Sequence, residues 1–383
     1  MRKLLIVWVF IAGWTSTVYG ADRLAVRDSI LKTITGSKLA SRKVSITQFG
    51  AKGDSATDCH RAFRKAMRYA AKNGPLRIVV PEGVWLVCGP IHLVSGVTIE
   101  VCRGATLRFA GESRCYLPAV STSWEGTYLW NYSPFIYGYG LHDVAILGHG
   151  TIDGGEAAET FARWSMQQKA DQWNHQGLPV DERHFGAGHF LRPQLIQLYR
   201  CEGVTLSSVF IRRSPFWCIH MLQCKNVYMR GLHCQARLTN NDGIDIESTQ
   251  GVLLDDLRFD NGDDNISIKS GRDNDGWTIA GPSRDIIIRR CRFKGLHGVV
   301  IGSEMSGGVE NVFVENCYYV GYVKRGIFIK TNPDRGGYVR NIYINNVRFG
   351  EVLDLFYVTS MYAGQGLDNH NYSTVENIVV ASL

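Results

Sequence analysis

Helical periodicity is scarce in this chain. One stretch repeats its apolar residues at helical spacing, with Phe63, Met67 and Ala70 on one face and Arg61, Arg64, Lys65, Arg68 and Lys72 elsewhere. That scarcity excludes a helical bundle. With 41 glycines among 383 residues, it points to an all-β chain with many turns. Lysine and arginine are spread along the chain rather than gathered in long runs, which excludes the footprint of a nucleic-acid-binding face. The formal net charge of +7 is compatible with an acidic partner and names none. A membrane-length apolar run is also missing, so no membrane partner is expected. The apolar stretch Leu4 to Trp14 is too short to span a bilayer with margin. It follows Arg2 and Lys3 and precedes the small residues Val18 and Gly20. Residues 1–20 therefore read as a secretory signal cleaved before Ala21, with an uncleaved anchor as the alternative, and a secreted or periplasmic location is expected. The residue directly after that point is Ala21, not cysteine, so a lipid anchor is not expected.

What the chain does contain is an internal repeat, beginning at Gly203. GVTLSSVFI, NVYMRGLHC, GVLLDDLRF, DIIIRRCRF, NVFVENCYY, NIYINNVRF and NIVVASL align. Each opens on Gly, Asn or Asp. Apolar residues follow at Val204, Val227, Val252, Ile286, Val312, Ile342 and Ile378, and two positions on at Leu206, Met229, Leu254, Ile288, Val314, Ile344 and Val380. A spacing of about 23 to 36 residues is that of a solenoid. Period-two alternation puts these side chains on one face of successive strands. The expected fold is a right-handed parallel β-helix, a single domain over residues 21–383. Residues 44–109 form its entry, with one capping helix after Asp58, stopped at Asn73-Gly74-Pro75. Short strands follow at 78–80, 84–87, 97–101 and 106–109. The aromatic segment 124–137 and the polar segment 155–192 read as long loops on the scaffold. The last repeat stops at Leu383 in mid-strand, so the domain is expected to be incomplete at that end. Of the ten cysteines, Cys234, Cys291 and Cys317 fall on inward positions and read as buried thiols. Cys201 and Cys224 read as a stacked pair or a bridge.

The chemistry concentrates between Asn240 and Lys269. Asp242 and the Asp263–Asp264 pair are separated by about one short coil, so they should stack on adjacent coils, on the order of 5 to 10 Å apart. Carboxylates brought that close cannot all ionise freely; one is pushed up and becomes a proton donor while another stays charged. That is the equipment for glycoside hydrolysis. A Ca²⁺ site, or turn residues capping the backbone, is the alternative. Asp245, between Ile244 and Ile246, suits structural hydrogen bonding as readily as catalysis.

NNDGIDIES, NGDDNISIKSGRD, VVIGSEMSGGV and RGIFIKTN, with SPFW at 214–217 and FGAKGDSATD through GATLRF at the entry, resemble the successive motifs of glycoside hydrolase family 28, the polygalacturonases. The resemblance covers nearly all of the mature chain. It implies inverting hydrolysis of α-linked galacturonic acid, with Asp263 as general acid and Asp242 with Asp264 activating water. Three departures stand out. The family's Gly-His-Gly appears as Gly295-Leu296-His297-Gly298, which moves the histidine one residue relative to Val299. One step on a strand reverses the face, so His297 reaches the acid only where a bulge corrects it. The family's Arg-Ile-Lys is Phe328-Ile329-Lys330. Lys330 keeps a cation for a substrate carboxylate. Phe328 replaces the arginine fork and suggests an altered subsite or an aromatic platform, with Arg325 as a compensating cation. Asn241 and Asn265 replace the usual threonine and cysteine. Tyr362 is a candidate for stacking on sugar or for packing.

The expected substrate is an acidic plant-type polysaccharide: pectin, homogalacturonan or rhamnogalacturonan. The insert SGRDNDGWTIAGPS and the loops before residue 200 suggest one closed end of the groove and attack from a chain end. No cofactor or metal is expected, and the protein is expected to be a monomer. A polysaccharide lyase on the same fold and a non-catalytic carbohydrate-binding β-helix are the alternatives.

Overall fold

The structure is a computed structural model and describes residues 16–166, 177–362 and 370–382. Residues 1–15 of the predicted signal segment lie outside the described residues. Twenty-seven strands form one continuous parallel sheet wound into coils, a parallel β-helix, and two more form an antiparallel hairpin.

The ladders follow the register read from the repeat. Val204, Val227, Val252, Ile286, Val312, Ile342 and Ile378 are successive partners, as are Leu206, Met229, Leu254, Ile288, Val314, Ile344 and Val380. Phe259, Phe293, Tyr319 and Phe349 stack beside them at 4.6–5.7 Å between ring centroids. Each buried aliphatic side chain adds roughly 1.5–3 kcal/mol before entropy is counted, so the ladder is the source of the scaffold's stability. The residue opening each repeat has a structural reason. Gly203, Asn226, Gly251, Asp285, Asn311, Asn341 and Asn377 all have φ between 50° and 69°. Glycine adopts that left-handed turn without penalty, and Asn and Asp tolerate it through local hydrogen bonds. Asn377 donates to Asn341 (2.6 Å) and Asn341 to Asn311 (3.1 Å), a polar ladder outside the apolar one. All ten cysteines are free thiols. Cys234, Cys291 and Cys317 are fully buried, and Cys201 and Cys224 are a stacked pair of thiols.

The capping helix His60–Asn73 buries Phe63, Ala66, Met67 and Ala70 over the first coils. Asp58 accepts from the backbone N–H of His60 (2.9 Å) and of Cys88 (3.0 Å), tying the helix start to the sheet. This helix is not alone, contrary to the sequence expectation. Ser16–Thr33, Gly155–Ala162 and Asp273–Thr278 are also helical. The first crosses the predicted cleavage point, and its described side chains, all after that point, dock it. Ile30 and Ile34 pack on Leu253, Ile287 and Phe313 outside the coils, and Arg27 pairs with Glu315 at 2.9 Å. Among the described residues no helix is long and apolar enough to cross a membrane.

A second correction concerns segment 124–137. Val120–Trp124 and Thr127–Asn131 form the antiparallel hairpin, not a projecting loop. It lies flat on the outer face of the coils. Tyr137 donates to the Ser121 carbonyl (2.6 Å), Thr122 to Gln197 (2.8 Å), and Gln194 to the Ser123 carbonyl (3.0 Å). Trp124 stacks on Phe216 at 5.2 Å. The turn ends against a later coil, where Arg272 N–H donates to the Gly126 carbonyl (2.9 Å).

Candidate active site

Strand Ile244–Glu247 turns Ile244 and Ile246 into the core, which sends Asp245 and Glu247 to the outer face. In the next coil one unbroken strand, Arg258–Lys269, covers what the preceding coil divides between His233–Ala236 and Ile244–Glu247. The corner between those two faces carries Asp263 and Asp264. At that corner the pairing with Gly295–Ile301 slips by one residue: Asn261 faces Gly295, but Asp264 faces His297. The bulge restores what the displaced histidine needs. His297 Nδ1 lies 2.8 Å from Asp264 Oδ1 and 3.8 Å from Asp263 Oδ1.

The loop carrying Asp242 is fixed by Asn241. Its amide donates to the carbonyls of Ser214 (3.0 Å) and Phe216 (2.8 Å), and its oxygen accepts from Leu238 N–H (2.9 Å). Gly243 N–H donates to the Asp264 carbonyl at 2.9 Å, joining the two acidic segments. A Cβ at Gly243 would meet the Asn265 carbonyl at 2.5 Å and the Phe259 ring at 2.7 Å, so only glycine permits this approach.

Asp242, Asp263 and Asp264 line a cavity of about 250 Å³ with Lys269, Glu304 and Lys330. The three carboxyls differ in environment. Asp264 is buried, which pushes its proton affinity up, but Lys330 and His297 override that and hold it well below the usual carboxylate range. Lys330 Nζ donates to Oδ2 at 3.0 Å and the Ser267 hydroxyl at 3.2 Å. Asp263 is 25% exposed and is pushed up by burial and by Asp264. Asp242 is pushed up strongly, by burial first and then by Asp245, Asp263 and Asp264. One carboxyl held down beside two pushed up is the pattern of a divided acid and base. Asp263, Asp264 and His297 each offer an atom within 4.8 Å of the others, a spacing a metal ion could bridge, but the Lys330 ammonium already occupies Asp264.

Lys330 lines the cavity with its Nζ on Asp264 and holds that carboxyl down. Two expectations need correcting. Arg325 does not line the cavity and does not compensate for Phe328; it pairs with Asp354 and lies over the Tyr357 ring at 4.3 Å. Phe328 is 5% exposed, too covered for a sugar platform. Its ring props His297 edge to face at 5.4 Å. Tyr362 does line the cavity, with Lys330 Nζ 5.1 Å from its ring.

Lys269, Arg272, Glu304, Glu125 and Trp217 line the same cavity and carried no role in the sequence reading. Glu304 accepts from Lys269 (2.9 Å), Arg272 (3.0 Å) and the Ser303 hydroxyl (2.7 Å). Lys269 also sits 4.9 Å from the Trp217 ring. The alternation used for the core contained the signal. Lys269 falls opposite Glu247 on the outer face, so reading the outward positions as well would have gathered these charges.

Residues 72–382 match the family model "Glycosyl hydrolases family 28", and residues 43–100 match "Rhamnogalacturonase A/epimerase, pectate lyase-like". A "Probable polygalacturonase" of Vitis vinifera is 30% identical over 89% of this chain and 68% of that protein. An "Exo-poly-alpha-D-galacturonosidase" of Dickeya chrysanthemi is 27% identical over 86% of this chain and 58% of that protein. Among solved structures, the exopolygalacturonase of Thermotoga maritima superposes with a TM-score of 0.80 and 34% identity, covering 94% of this chain and 96% of that one. With its coils, its three carboxyls and the family match in agreement, the chain belongs to glycosyl hydrolase family 28 and is a glycoside hydrolase.

Proposed function

We propose that this enzyme removes α-linked galacturonic acid units from the end of a pectin-type chain, with inversion. The observation that carries the chain-end reading is the hairpin. Gln197, His220 and Glu247 lie on the outer face leading to the carboxyls, where an internally cleaving enzyme would keep an open groove. All three are fully buried, because the hairpin covers them. Its turn closes against Arg272 and Glu304, where a Cβ at Gly126 would sit 2.9 Å from either side chain. The space left is a pocket, which favours a terminal sugar over a mid-chain one. Lys269, Arg272 and Lys330 in its wall suit an anionic sugar. Among the relatives, the Thermotoga maritima and Dickeya chrysanthemi proteins carry exo-acting names.

In this reading Asp263 gives its proton to the glycosidic oxygen, and a water on the opposite side attacks the anomeric carbon as its proton passes to the remaining carboxyls. Asp264 is a poor nucleophile, since both its oxygens already receive hydrogen bonds. Its role is to keep a fixed negative charge beside the developing oxocarbenium ion. The reading includes export through segment 1–20, one catalytic domain over 21–383 and action as a monomer.

Product analysis on polygalacturonate and rhamnogalacturonan tests it. The expected result is release of short uronides from the first minutes on polygalacturonate, with little early fall in viscosity. A rapid fall in viscosity with a ladder of long products would overturn chain-end action, and an unsaturated ultraviolet-absorbing product would overturn hydrolysis.

A further inference from the structure

Glu125 lines the catalytic cavity, and the hydrolysis leaves it without a task. It sits at the tip of the hairpin. Trp124 pairs with Thr127, so Glu125 and Gly126 are a two-residue turn, with φ of 46° and 80°. Positive φ at both central positions is the I′ turn, for which Asn-Gly is the favoured pair. Glutamate is a poor choice at the first position. Its β-carbon is strained in the left-handed region, and it lacks the short polar side chain that relieves Asn or Asp there. A strained residue at a cleft is a pointer to function.

The turn is pinned. Arg272 N–H donates to the Gly126 carbonyl at 2.9 Å, and Tyr128 N–H donates to Asp275 at 2.8 Å. The Glu125 side chain, 19% exposed, is therefore held at the wall of the pocket. Its ion partner, the Arg272 guanidinium, stands 3.7 Å from Oε2, beyond hydrogen-bonding reach, and is bonded to Glu304 at 3.0 Å. Among the described residues no N–H or hydroxyl donates to the Glu125 carboxyl, which interacts with its neighbours through charge alone. Its oxygens can accept from a ligand. A sugar in a closed pocket turns its chain-extending hydroxyl towards the wall that closes it, and here that wall is the hairpin turn.

We propose that Glu125 is a specificity-determining residue: it accepts a hydrogen bond from the end unit's hydroxyl through which the chain would otherwise continue, and so recognises the chain end. The proposal rests on the chain-end reading above and deepens it. In a mid-chain unit that oxygen is glycosidic. It has no proton to donate, and the next sugar would have to occupy the space of the turn. A site built to bond a hydroxyl discriminates against a ligand without one, because its acceptor is left unpaired. The negative charge also turns the uronate's own carboxylate away from the hairpin, towards the cavity's cations. Burial pushes the Glu125 proton affinity up and Arg272 opposes it. A hydroxyl can donate to the carboxylate or to the carbonyl oxygen of the acid, so the contact survives in either state.

Glu125→Asn tests the assignment. It supplies the pair this turn favours, so the thermal midpoint should hold or rise. Its side chain is one methylene shorter, which withdraws the acceptor from the sugar. The readout is kcat/KM on an oligogalacturonate against kcat/KM on the same oligomer with a 4-deoxy non-reducing end. The wild type should prefer the intact end by ~10- to 100-fold, the contribution of a hydrogen bond to a charged group. Glu125→Asn and Glu125→Ala should each bring that preference to within about threefold, by slowing the intact substrate. Comparing variant with wild type cancels the inductive effect of the hydroxyl on the bond being cleaved. A wild type indifferent to the hydroxyl would overturn the proposal. So would a preference that survives in the folded Glu125→Asn protein, since a merely structural Glu125 slows both substrates alike. The two failures separate. A rapid fall in viscosity with the wild type sinks chain-end action, whereas release of end units with a preference unmoved by either variant sinks the role of Glu125 alone.

Discussion

Asp263→Asn is expected to lower turnover by at least ~10²-fold, the usual cost of losing a general acid. The amide keeps the size of the side chain and cannot deliver a proton. Among the three carboxyls Asp263 is the most open, at 25% exposed against 1% for Asp264, and its proton affinity is pushed up by burial and by the Asp264 charge. Neither feature supports the fold, so the thermal midpoint and KM should hardly move. A substrate with an activated aryl leaving group supplies the discriminating comparison. It needs little help from an acid, so the loss should shrink on that substrate. A variant within threefold of the wild type on galacturonan would remove Asp263 from the acid's role.

The largest expected effect on stability comes from Glu304→Gln, about 3–5 kcal/mol, the range for breaking a buried charge pair. Glu304 is 6% exposed, and its partners Lys269 and Arg272 are 4% exposed each. The amide takes from both buried cations their nearest anion, leaving, among the described residues, Asp245 at 4.0 Å from Lys269 and Glu125 at 3.7 Å from Arg272 as acidic neighbours within ion-pair range. The pH dependence follows from the same geometry. Burial alone would raise the Glu304 proton affinity, but Lys269, Arg272 and Arg335 override it and hold the group well below its ordinary value of about 4.5. A depressed carboxylate contributes stability that is fully present above its unfolded-state value and is lost as pH falls through the lower folded-state value. Thermal unfolding of the wild type should therefore weaken towards strongly acid solution, and Glu304→Gln should be less stable at neutral pH with a flatter acid slope. Equal midpoints at neutral pH would contradict the assigned role.

How much of this was legible in the sequence depends on which side of the strand is considered. The core ladder, from Val204 to Ile378, was readable because an inward residue has one requirement, to be apolar, and the repeat states it seven times. The acidic residues were readable for the same reason: coil length alone brings Asp242 beside Asp264. His297 was readable only as a condition, since alternation puts it on the wrong face and the slip at the corner puts it back. Partner choice was not readable. Lys330 finds Asp264 two coils away, which no local pattern encodes, and Arg325 is taken by Asp354, its register partner on the next coil. The hairpin over the groove was missed because its aromatic residues alternate too poorly to announce strands; Tyr128 and Trp124 are both buried, one on each side of a tight turn. The helix Ser16–Thr33 was hidden by its nearness to the apolar leader-like run.

Stereochemistry tests the central assignment most directly. Asp263 and Asp264 each offer an oxygen within 4.8 Å of the other, so Asp264 stands near enough to be the rival nucleophile of a retaining enzyme. Inversion requires that Asp264 stay a fixed charge, held down by Lys330 and His297, and that a water attack the sugar instead. Proton NMR of the first product released from an α-linked oligogalacturonate should show the β-anomer before mutarotation. Initial release of the α-anomer would mean that Asp264 attacks the sugar itself, and the account given for these carboxyls would be wrong.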